Sequence, residues 1–225
     1  DLHRVDRRQR QMCIRDSYTF IIIWLLFMTG LRLGEAQALE WTDINFEDKT
    51  LTVSKSMYYK SANEFYVTEP KTRAGNRTIA LDDVTISYLA EWKSVQGRNV
   101  VSKYVLSYNG LPTNKSTTKH IIERHSKLAG VHTIKTHALR HSHASLLISL
   151  GENAIVVRDR LGHEDVETTL GTYGHLYPNT NIEVAKKLNN LISVKKDDTI
   201  TRNFISNQFV KNRQSGCCLL YTSPS

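Results

Sequence analysis

The feature that most constrains how this sequence can fold is a run of apolar residues near its start, YTFIIIWLLFMTG at residues 18–30. The uninterrupted part, Tyr18 to Met28, is only about half of the ~20 residues that a membrane-spanning helix needs. The glycine that follows, Gly30, is a usual helix stop. We therefore expect a buried helix that ends at Gly30 and contributes to a hydrophobic core.

The rest of the chain alternates between short helical and extended patterns. A hairpin is predicted at residues 44–57, with its turn at Glu47–Lys49. Further strands are predicted at 64–70 and 77–81. Helices are predicted at 31–40, 81–95, 117–130, 136–151, 154–163 and 166–177. Together these elements predict an α+β fold, mainly α, with one small three-stranded antiparallel sheet.

Two amphipathic segments give more specific predictions. The helix at 81–95 can be capped by Asp82 or Asp83. Its apolar side is formed by Val84, Leu89 and Trp92. The segment 182–192 places four apolar residues on one helical face, which are Ile182, Ala185, Leu188 and Ile192.

Composition narrows the class of protein. The 225 residues include 30 Lys+Arg against 22 Asp+Glu, a formal net charge of +8, and 40% are hydrophobic. This apolar fraction argues against general disorder, and three cysteines are too few for a disulfide scaffold. The first residues also lack the charged-then-apolar pattern of a signal peptide. We expect a soluble, basic, cytoplasmic protein with polyanions as plausible partners.

The two ends carry a pattern that is foreign to a folded domain. MCIRDS at 12–17 and CLLYTS at 218–223 back-translate into largely reverse-complementary DNA that resembles a transposase sequencing adapter. Residues 1–17 also show no helical or strand periodicity. We predict that 1–17 are non-native, that 18–192 form the native domain, and that 193–225 are a disordered tail whose last ~8 residues come from the adapter. The alternative is a pair of ordinary disordered tails.

The most distinctive segment is THALRH at residues 136–141. Positions three apart share a helix face, so His137 and Arg140 can approach one target. A guanidinium can bind two phosphate oxygens, and an imidazole can move a proton near neutral pH. The same pattern also fits a plain basic helix surface. A metal site at His137, His141 and His143 is a further interpretation, but cysteine or carboxylate partners at ligand spacing are missing.

Three other segments carry reactive residue types, and each alone has a simpler interpretation. His163, in Leu-Gly-His, is followed ten residues later by Tyr173, which alone fits a core or surface tyrosine. Arg32 has Glu35 three residues later, which fits a structural ion pair. Lys71, in EPKTRAGNRTIAL, fits a solvated turn lysine.

The order of these elements is more specific than any one of them. An arginine with a glutamate three later, a hairpin lysine, His-x-x-Arg, Leu-Gly-His and then a tyrosine resemble the tyrosine recombinase, or phage integrase, family over residues 18–192. In its general sequence character, the chain is most similar to integrases of Gram-positive temperate phages and conjugative transposons. The resemblance implies the catalytic fold of the DNA breaking-rejoining enzymes. It also implies six catalytic residues, Arg32, Lys71, His137, Arg140, His163 and Tyr173, with Glu35 as an acidic residue behind them.

The resemblance further implies a reaction. Tyr173 would be the nucleophile that forms a 3′-phosphotyrosyl link, with His137 as base and Lys71 as acid. The arginines would clamp the phosphate and His163 would orient it. Neither a metal nor a nucleotide cofactor is expected. The biological outcome would be integration or excision of a mobile element, including a viral genome.

The expected partner is double-stranded DNA at a recombination site, bound by a homotetramer, with a DNA-bending or directionality factor as a further candidate. In such a tetramer 182–192 would dock on a neighbouring protomer; otherwise it packs on its own domain. Two basic groups are predicted phosphate contacts: Lys55, Lys60, Lys71, Arg73 and Arg77, and then Lys115, Lys119, Arg124 and Lys127.

Two alternative functions stay open from the sequence, a Xer-like chromosome resolvase and a noncatalytic DNA-binding module with the same fold. Members of the family also carry a core-binding domain, and often an arm-binding domain, before the catalytic one. Neither occurs in these residues, so we expect weak site binding and poor recombination by this chain.

Overall fold

In the computed structural model the chain divides into two units, Asp1–Pro178 and Asn179–Ser225. The described residues are 2–61, 64–70 and 72–177, together with 185, 186 and 188, and side chains are described from residue 16 onward. The described part of the first unit contains seven α-helices and five β-strands.

The helices follow one another along the whole unit. They are α1 (Leu2–Thr29), α2 (Leu33–Ala38), α3 (Asp83–Gly97), α4 (Lys115–Leu128), α5 (Ala138–Ser149), α6 (Ala154–Leu161) and α7 (Val166–Tyr173). Short 3₁₀ turns lie at Trp41–Asp43, Arg73–Gly75 and Gly174–Leu176.

Several of these helices are capped at the N-terminus by a side chain. The predicted cap of α3 is Asp82, whose Oδ1 accepts a hydrogen bond of 2.9 Å from the Thr85 backbone N–H. Asn114 caps α4 in the same way, with 2.8 Å to the Thr117 N–H. Such caps satisfy backbone donors that the first helical turn leaves unpaired. The start of these helices is therefore encoded locally.

Five strands form two small antiparallel sheets. β1 (Ile44–Asn45), β2 (Thr50–Val53) and β5 (Arg77–Ala80) form a three-stranded sheet in the order β1-β2-β5. β3 (Ser56–Tyr59) and β4 (Phe65–Thr68) form a separate two-stranded sheet. The predicted three-stranded sheet and its turn at 47–49 are confirmed.

The hydrophobic core surrounds the apolar half of α1. Ile21, Ile22, Leu25 and Leu26 are each at most 2% exposed. They belong to one cluster with residues of α3 and of the three-stranded sheet, and α1 packs against α3 and α5. A second, smaller cluster joins α5, α6 and α7 and includes Tyr173. The sequence prediction of a buried helix ending at Gly30 is confirmed.

The helix α1 begins at Leu2 and therefore includes residues 2–17, although their sequence shows no helical periodicity. Periodicity reports a buried face, whereas a helix also extends through Arg-, Gln- and Leu-containing sequence without Gly or Pro. Whether this segment is native is a separate question, and its adapter origin stays a prediction.

Two smaller predictions need correction. The second sheet, β3 with β4, was missing from the predicted fold, since a single sequence does not say which strands pair. Val84 was assigned to the apolar side of α3, but it is 51% exposed and Thr85 is buried in its place. Thr85 lies four residues before Leu89 and therefore shares its face.

Several predictions fall on the second unit. Ile182, Ile192 and the tail at 193–225 lie outside the described residues. Ala185 and Leu188 are helical and exposed. Within the described part of the chain, no helix is long and apolar enough to cross a membrane.

The core can be tested at its centre. Leu25→Ala should lower the free energy of unfolding by about 2–5 kcal/mol, because a buried leucine leaves a cavity that its neighbours fill only partly. Urea unfolding followed by circular dichroism measures this. The matched control is Leu128→Ala on α4, where the leucine is 71% exposed. Equal effects of the two substitutions would contradict the assigned core.

Candidate active site

Arg140, in the first turn of α5, is almost completely buried and is held by two carbonyls from distant parts of the chain. Its Nη1 donates to Gly30 O at 2.6 Å and its Nη2 to Leu161 O at 2.7 Å. Burial lowers the pKa of the guanidinium to about 10, and the charge of Arg32 acts in the same direction. Arg140 is therefore still a cation at neutral pH. Two of its five N–H donors are used by these carbonyls.

Arg32 lies beside Arg140, directly before α2. Its Nη1 donates to Glu35 Oε1 at 2.8 Å and its Nη2 to Gly162 O at 3.1 Å. Leu161 and Gly162 are consecutive, so neighbouring carbonyls hold the two guanidinium groups. The Arg32 side chain is 43% exposed, which leaves it accessible to an anion from solvent.

Glu35 connects Arg32 to a second, buried arginine. Arg77, from β5, donates to Glu35 Oε2 at 2.8 Å and to Oε1 at 3.2 Å. Burial alone would raise the pKa of the Glu35 carboxyl, but the hydrogen bonds and charge of Arg77, with those of Arg32, hold the pKa below its usual value. Arg77 Nε also donates to Arg160 O at 2.9 Å. Arg77 thus supports both Glu35 and the turn that carries Gly162.

The two turns that present these carbonyls require glycine. Gly30 and Gly162 have φ values of 65° and 70°, in the left-handed region. A Cβ at Gly30 would lie 2.6 Å from His143 Cδ2, and one at Gly162 would lie 2.8 Å from Ala74 O. The close packing around the turns fixes the carbonyls that orient Arg32 and Arg140.

His163 follows Gly162 directly and contacts α7. Its Nδ1 lies 2.9 Å from Thr169 Oγ1. Burial, and then the charges of Arg140 and Arg32, lower the pKa of His163 to about 4. The imidazole is therefore neutral at physiological pH and can exchange hydrogen bonds without adding charge.

Tyr173 ends α7 and is only 4% exposed. Burial raises the pKa of its phenol, and the charge of Arg140 opposes that rise. Tyr173 packs in the same buried cluster as Leu161, whose carbonyl accepts a hydrogen bond from Arg140. Arg32, Arg140, His163 and Tyr173, predicted from separate segments of the sequence, therefore meet around one region.

The hydroxyl of Tyr173 is hydrogen-bonded to a histidine that the sequence analysis did not place in the catalytic set. His141 Nδ1 lies 2.7 Å from the Tyr173 oxygen. His137, the predicted base, lies one helical turn earlier, with its ring edge-on to His141 at a centroid distance of 4.8 Å. Burial, together with the charges of His141 and Arg140, lowers the pKa of His137. Positions 137 and 141 share a helix face, and this spacing was the available signal.

Lys71, the predicted acid, lies outside the described residues. The next described residue is Thr72, which lies directly before the 3₁₀ turn Arg73–Gly75. Among the described residues there is no group of three or more His, Cys, Asp or Glu side chains arranged to hold a metal ion.

Comparison with known proteins places this geometry in a family. The model of the Phage integrase family matches residues 8–180. The chain belongs to this family. The assignment of Tyr173 as the nucleophile comes from the resemblance drawn from the sequence and stays a prediction.

Relatives with known names are consistent with that membership. The chain is 35% identical over 192 residues to the ICEBs1 integrase of Bacillus subtilis (strain 168), covering 82% of the chain and 50% of that protein. It is 31% identical over 158 residues to transposase A from transposon Tn554 of Staphylococcus aureus, covering 69% and 43%. The chain thus spans about half the length of the curated relatives that it matches.

A solved structure supports the fold. The Tn1549 transposon integrase in complex with a circular intermediate DNA superposes with a TM-score of 0.63 at 22% identity, covering 83% of this chain and 64% of that one. The predicted tyrosine recombinase catalytic fold, mainly helical with a small antiparallel sheet, is confirmed.

The predicted phosphate contacts of this integrase-family chain separate into two groups. Arg77 is buried against Glu35, and Lys55 Nζ lies 3.0 Å from Asp43 Oδ2 and 3.3 Å from Glu40 Oε2. The Arg77 side chain is only 7% exposed, so its predicted phosphate contact is wrong, whereas the contact of Lys55 stays a prediction. The exposed basic residues are Lys60, Arg73, Lys115, Lys119, Arg124 and Lys127.

The support that Arg77 gives to Glu35 can be tested. Arg77→Met should lower the free energy of unfolding by about 3–5 kcal/mol, because it leaves a buried carboxylate with one fewer cation. Urea unfolding measures the change. Arg73→Met is the matched control, since Arg73 is exposed. If Arg77→Met unfolds like the control, Glu35 does not depend on Arg77.

His143, which packs against Gly30, predicts a pH dependence of stability. Burial, and then the charge of Arg160, lower its pKa to about 4. A histidine in the unfolded chain titrates at ~6.5, so the unfolded state binds more protons between these values. The contribution of neutral His143 to the free energy of unfolding is therefore fully present above pH ~6.5. It falls as the pH drops towards 4, with a loss of about 2 kcal/mol by pH ~5.

Urea unfolding near pH ~7 and pH ~5 tests this dependence. His143→Gln keeps an acceptor for the Arg160 Nε, which now donates to His143 Nε2 at 3.1 Å, but it cannot take up a proton. The variant should lose less stability on acidification than the parent chain. His132→Gln, at an exposed position, is the control. An unchanged dependence in His143→Gln would contradict the assignment.

Proposed function

We propose that this chain contains the catalytic domain of a site-specific DNA recombinase, the integrase of a mobile element. It would cut and rejoin DNA through a 3′-phosphotyrosyl intermediate. Two relatives named as an integrase and a transposase support the link to mobile elements. The relative whose structure is a complex with circular intermediate DNA supports DNA as the substrate.

The observation that carries the proposal is that two arginines are held by hydrogen bonds to the same turn. Arg32 and Arg140 donate to the consecutive carbonyls of Gly162 and Leu161, and His163 follows directly. Cations held side by side suit the non-bridging oxygens of a phosphodiester, whose charge grows during attack. Losing one such donor typically costs about 3 kcal/mol of transition-state stabilisation.

The other residues supply the nucleophile and move protons. The Tyr173 oxygen attacks phosphorus, and the 5′ oxygen of the DNA leaves. His163, being neutral, donates a hydrogen bond to a phosphate oxygen, and Lys71 protonates the leaving oxygen. Histidine at 137 or 141 receives the proton of the phenol. The covalent link conserves the energy of the broken bond, so the 5′ hydroxyl of a partner strand reverses the step.

We further propose that this reaction requires neither ATP nor a metal ion. Arginine charge performs the electrostatic role that a divalent cation performs in other phosphoryl transfers. We further propose that the protein acts in the cytoplasm as a homotetramer on double-stranded DNA. An accessory DNA-bending or directionality factor completes the proposed assembly.

The exposed cations of α4 suit backbone contacts to the DNA. Lys115, Lys119, Arg124 and Lys127 are all exposed on this one helix. Neutralising phosphates gives an affinity that depends on salt and little on sequence. This helix is therefore the proposed surface for non-specific contacts with the DNA backbone.

The proposal predicts a covalent protein–DNA adduct that depends on Tyr173. The probe is a pool of labelled duplexes with a nick beside a randomised sequence, so that cleavage releases a short strand and traps the adduct. The parent chain should form a band that survives denaturation, and Tyr173→Phe should form none because it lacks the attacking oxygen.

Tyr177→Phe is the matched control, since Tyr177 packs against the same apolar cluster as Tyr173. It should keep the adduct. An adduct in the Tyr173→Phe variant would move the nucleophile elsewhere. DNA binding by the parent chain without any adduct would favour a noncatalytic DNA-binding module.

A further inference from the structure

The Tyr173 hydroxyl and His141 form a direct pair, and this pair is the starting point for a new assignment. The Nδ1–oxygen distance is 2.7 Å, and the ring centroids are 5.7 Å apart. Among the described residues, His141 is the one hydrogen-bond partner of this hydroxyl. His137 contacts the His141 ring and makes no hydrogen bond to the phenol within the same part of the chain.

A buried phenol needs a proton acceptor before it can attack phosphorus. The pKa of Tyr173 is raised by burial, so the neutral form is favoured in the resting site. An acceptor must lie within hydrogen-bond reach of the proton that it removes, about 2.6–3.2 Å between heavy atoms. The Nδ1 of His141 meets this requirement when the ring carries its proton on Nε2.

We propose that His141 is the general base that activates Tyr173, in place of His137. This assignment rests on the proposed recombinase function. The Tyr173 oxygen forms a bond to phosphorus while the bond from phosphorus to the 5′ oxygen breaks. The phenolic proton passes to His141 Nδ1, and the leaving 5′ oxygen takes a proton from the acid of the site, for which Lys71 is the candidate. In the reverse step His141 returns its proton to the phenol.

The charged and titratable groups around the pair come from several elements. Arg140 lies on α5 with His141, His137 is the residue directly before that helix, and Tyr173 comes from α7. The charge of Arg32 reaches His137. The 3₁₀ turn at Gly174–Leu176, which contacts α5, carries His175 and is followed by Tyr177. Arg140 favours the phenolate, whereas the lowered pKa of His137 keeps that ring neutral and limits repulsion of a protonated His141.

The test separates a proton acceptor from a residue that only positions the tyrosine. His141→Asn places an amide where Nδ1 now lies, so it can bond to the hydroxyl but cannot take its proton. His141→Ala removes both properties. Single-turnover adduct formation on the nicked duplex pool is measured from pH ~5 to pH ~9 for each variant, with His137→Asn and His175→Asn alongside.

If His141 is the base, both of its variants should slow adduct formation on the order of a hundredfold at neutral pH, and the deficit should shrink as the pH rises towards ionisation of the phenol. His175→Asn should keep the parent profile. Substrates with sulfur in place of the 5′ bridging oxygen need no acid for departure, so they should not rescue His141→Asn or His141→Ala.

Three results would overturn the assignment. The first is a His141→Asn variant whose rate stays within about threefold of the parent, because an amide can replace a residue that only positions the tyrosine. Rescue by the sulfur substrate would make His141 an acid, and a loss confined to His137→Asn would return the role to His137. The two proposals fail separately: a parent chain that binds the duplexes but forms no adduct refutes the recombinase, whereas a fast His141→Asn variant refutes only this base.

Discussion

Arg140 is the group on which the arrangement of the active site depends. Its guanidinium is almost completely buried and joins the turn after α1 to the turn after α6, through the carbonyls of Gly30 and Leu161. A buried cation is tolerated only where hydrogen bonds replace its lost water. The two turns must therefore keep their positions relative to α5. Since the same turns lead into Arg32 and His163, one constraint organises three candidate catalytic residues.

Behind these residues lies a layer of two buried side chains, Glu35 and Arg77. Glu35 is shared by Arg32 and Arg77, and Arg77 reaches the carbonyl of Arg160. This layer fixes Arg32 before any substrate binds. Preorganised charge is more effective in catalysis than charge that must reorient during the reaction. In the proposed reaction, the acidic residue expected from the family resemblance would act through its two arginines.

Local signals in the sequence predicted most of the fold. The apolar run at 18–30, the Asp82 cap and the glycine stops each act over a few residues, so their outcome does not depend on the rest of the chain. The burial of Arg77 and the pairing of Lys55 could not be predicted, because their acidic partners arrive from other segments. The same reason explains why His141 was considered only as a metal ligand: its partner, Tyr173, lies 32 residues away.

The arginine acceptors at Gly30, Leu161 and Gly162 are main-chain atoms, and this has a consequence for how the family can vary. Every amino acid supplies a carbonyl, so genetic drift at position 161 cannot delete the acceptor that orients Arg140. Positions 30 and 162 behave in the opposite way, because any added carbon would collide with neighbouring atoms. Natural diversity around this site should thus be limited by packing and by backbone path, whereas the main-chain acceptors themselves persist.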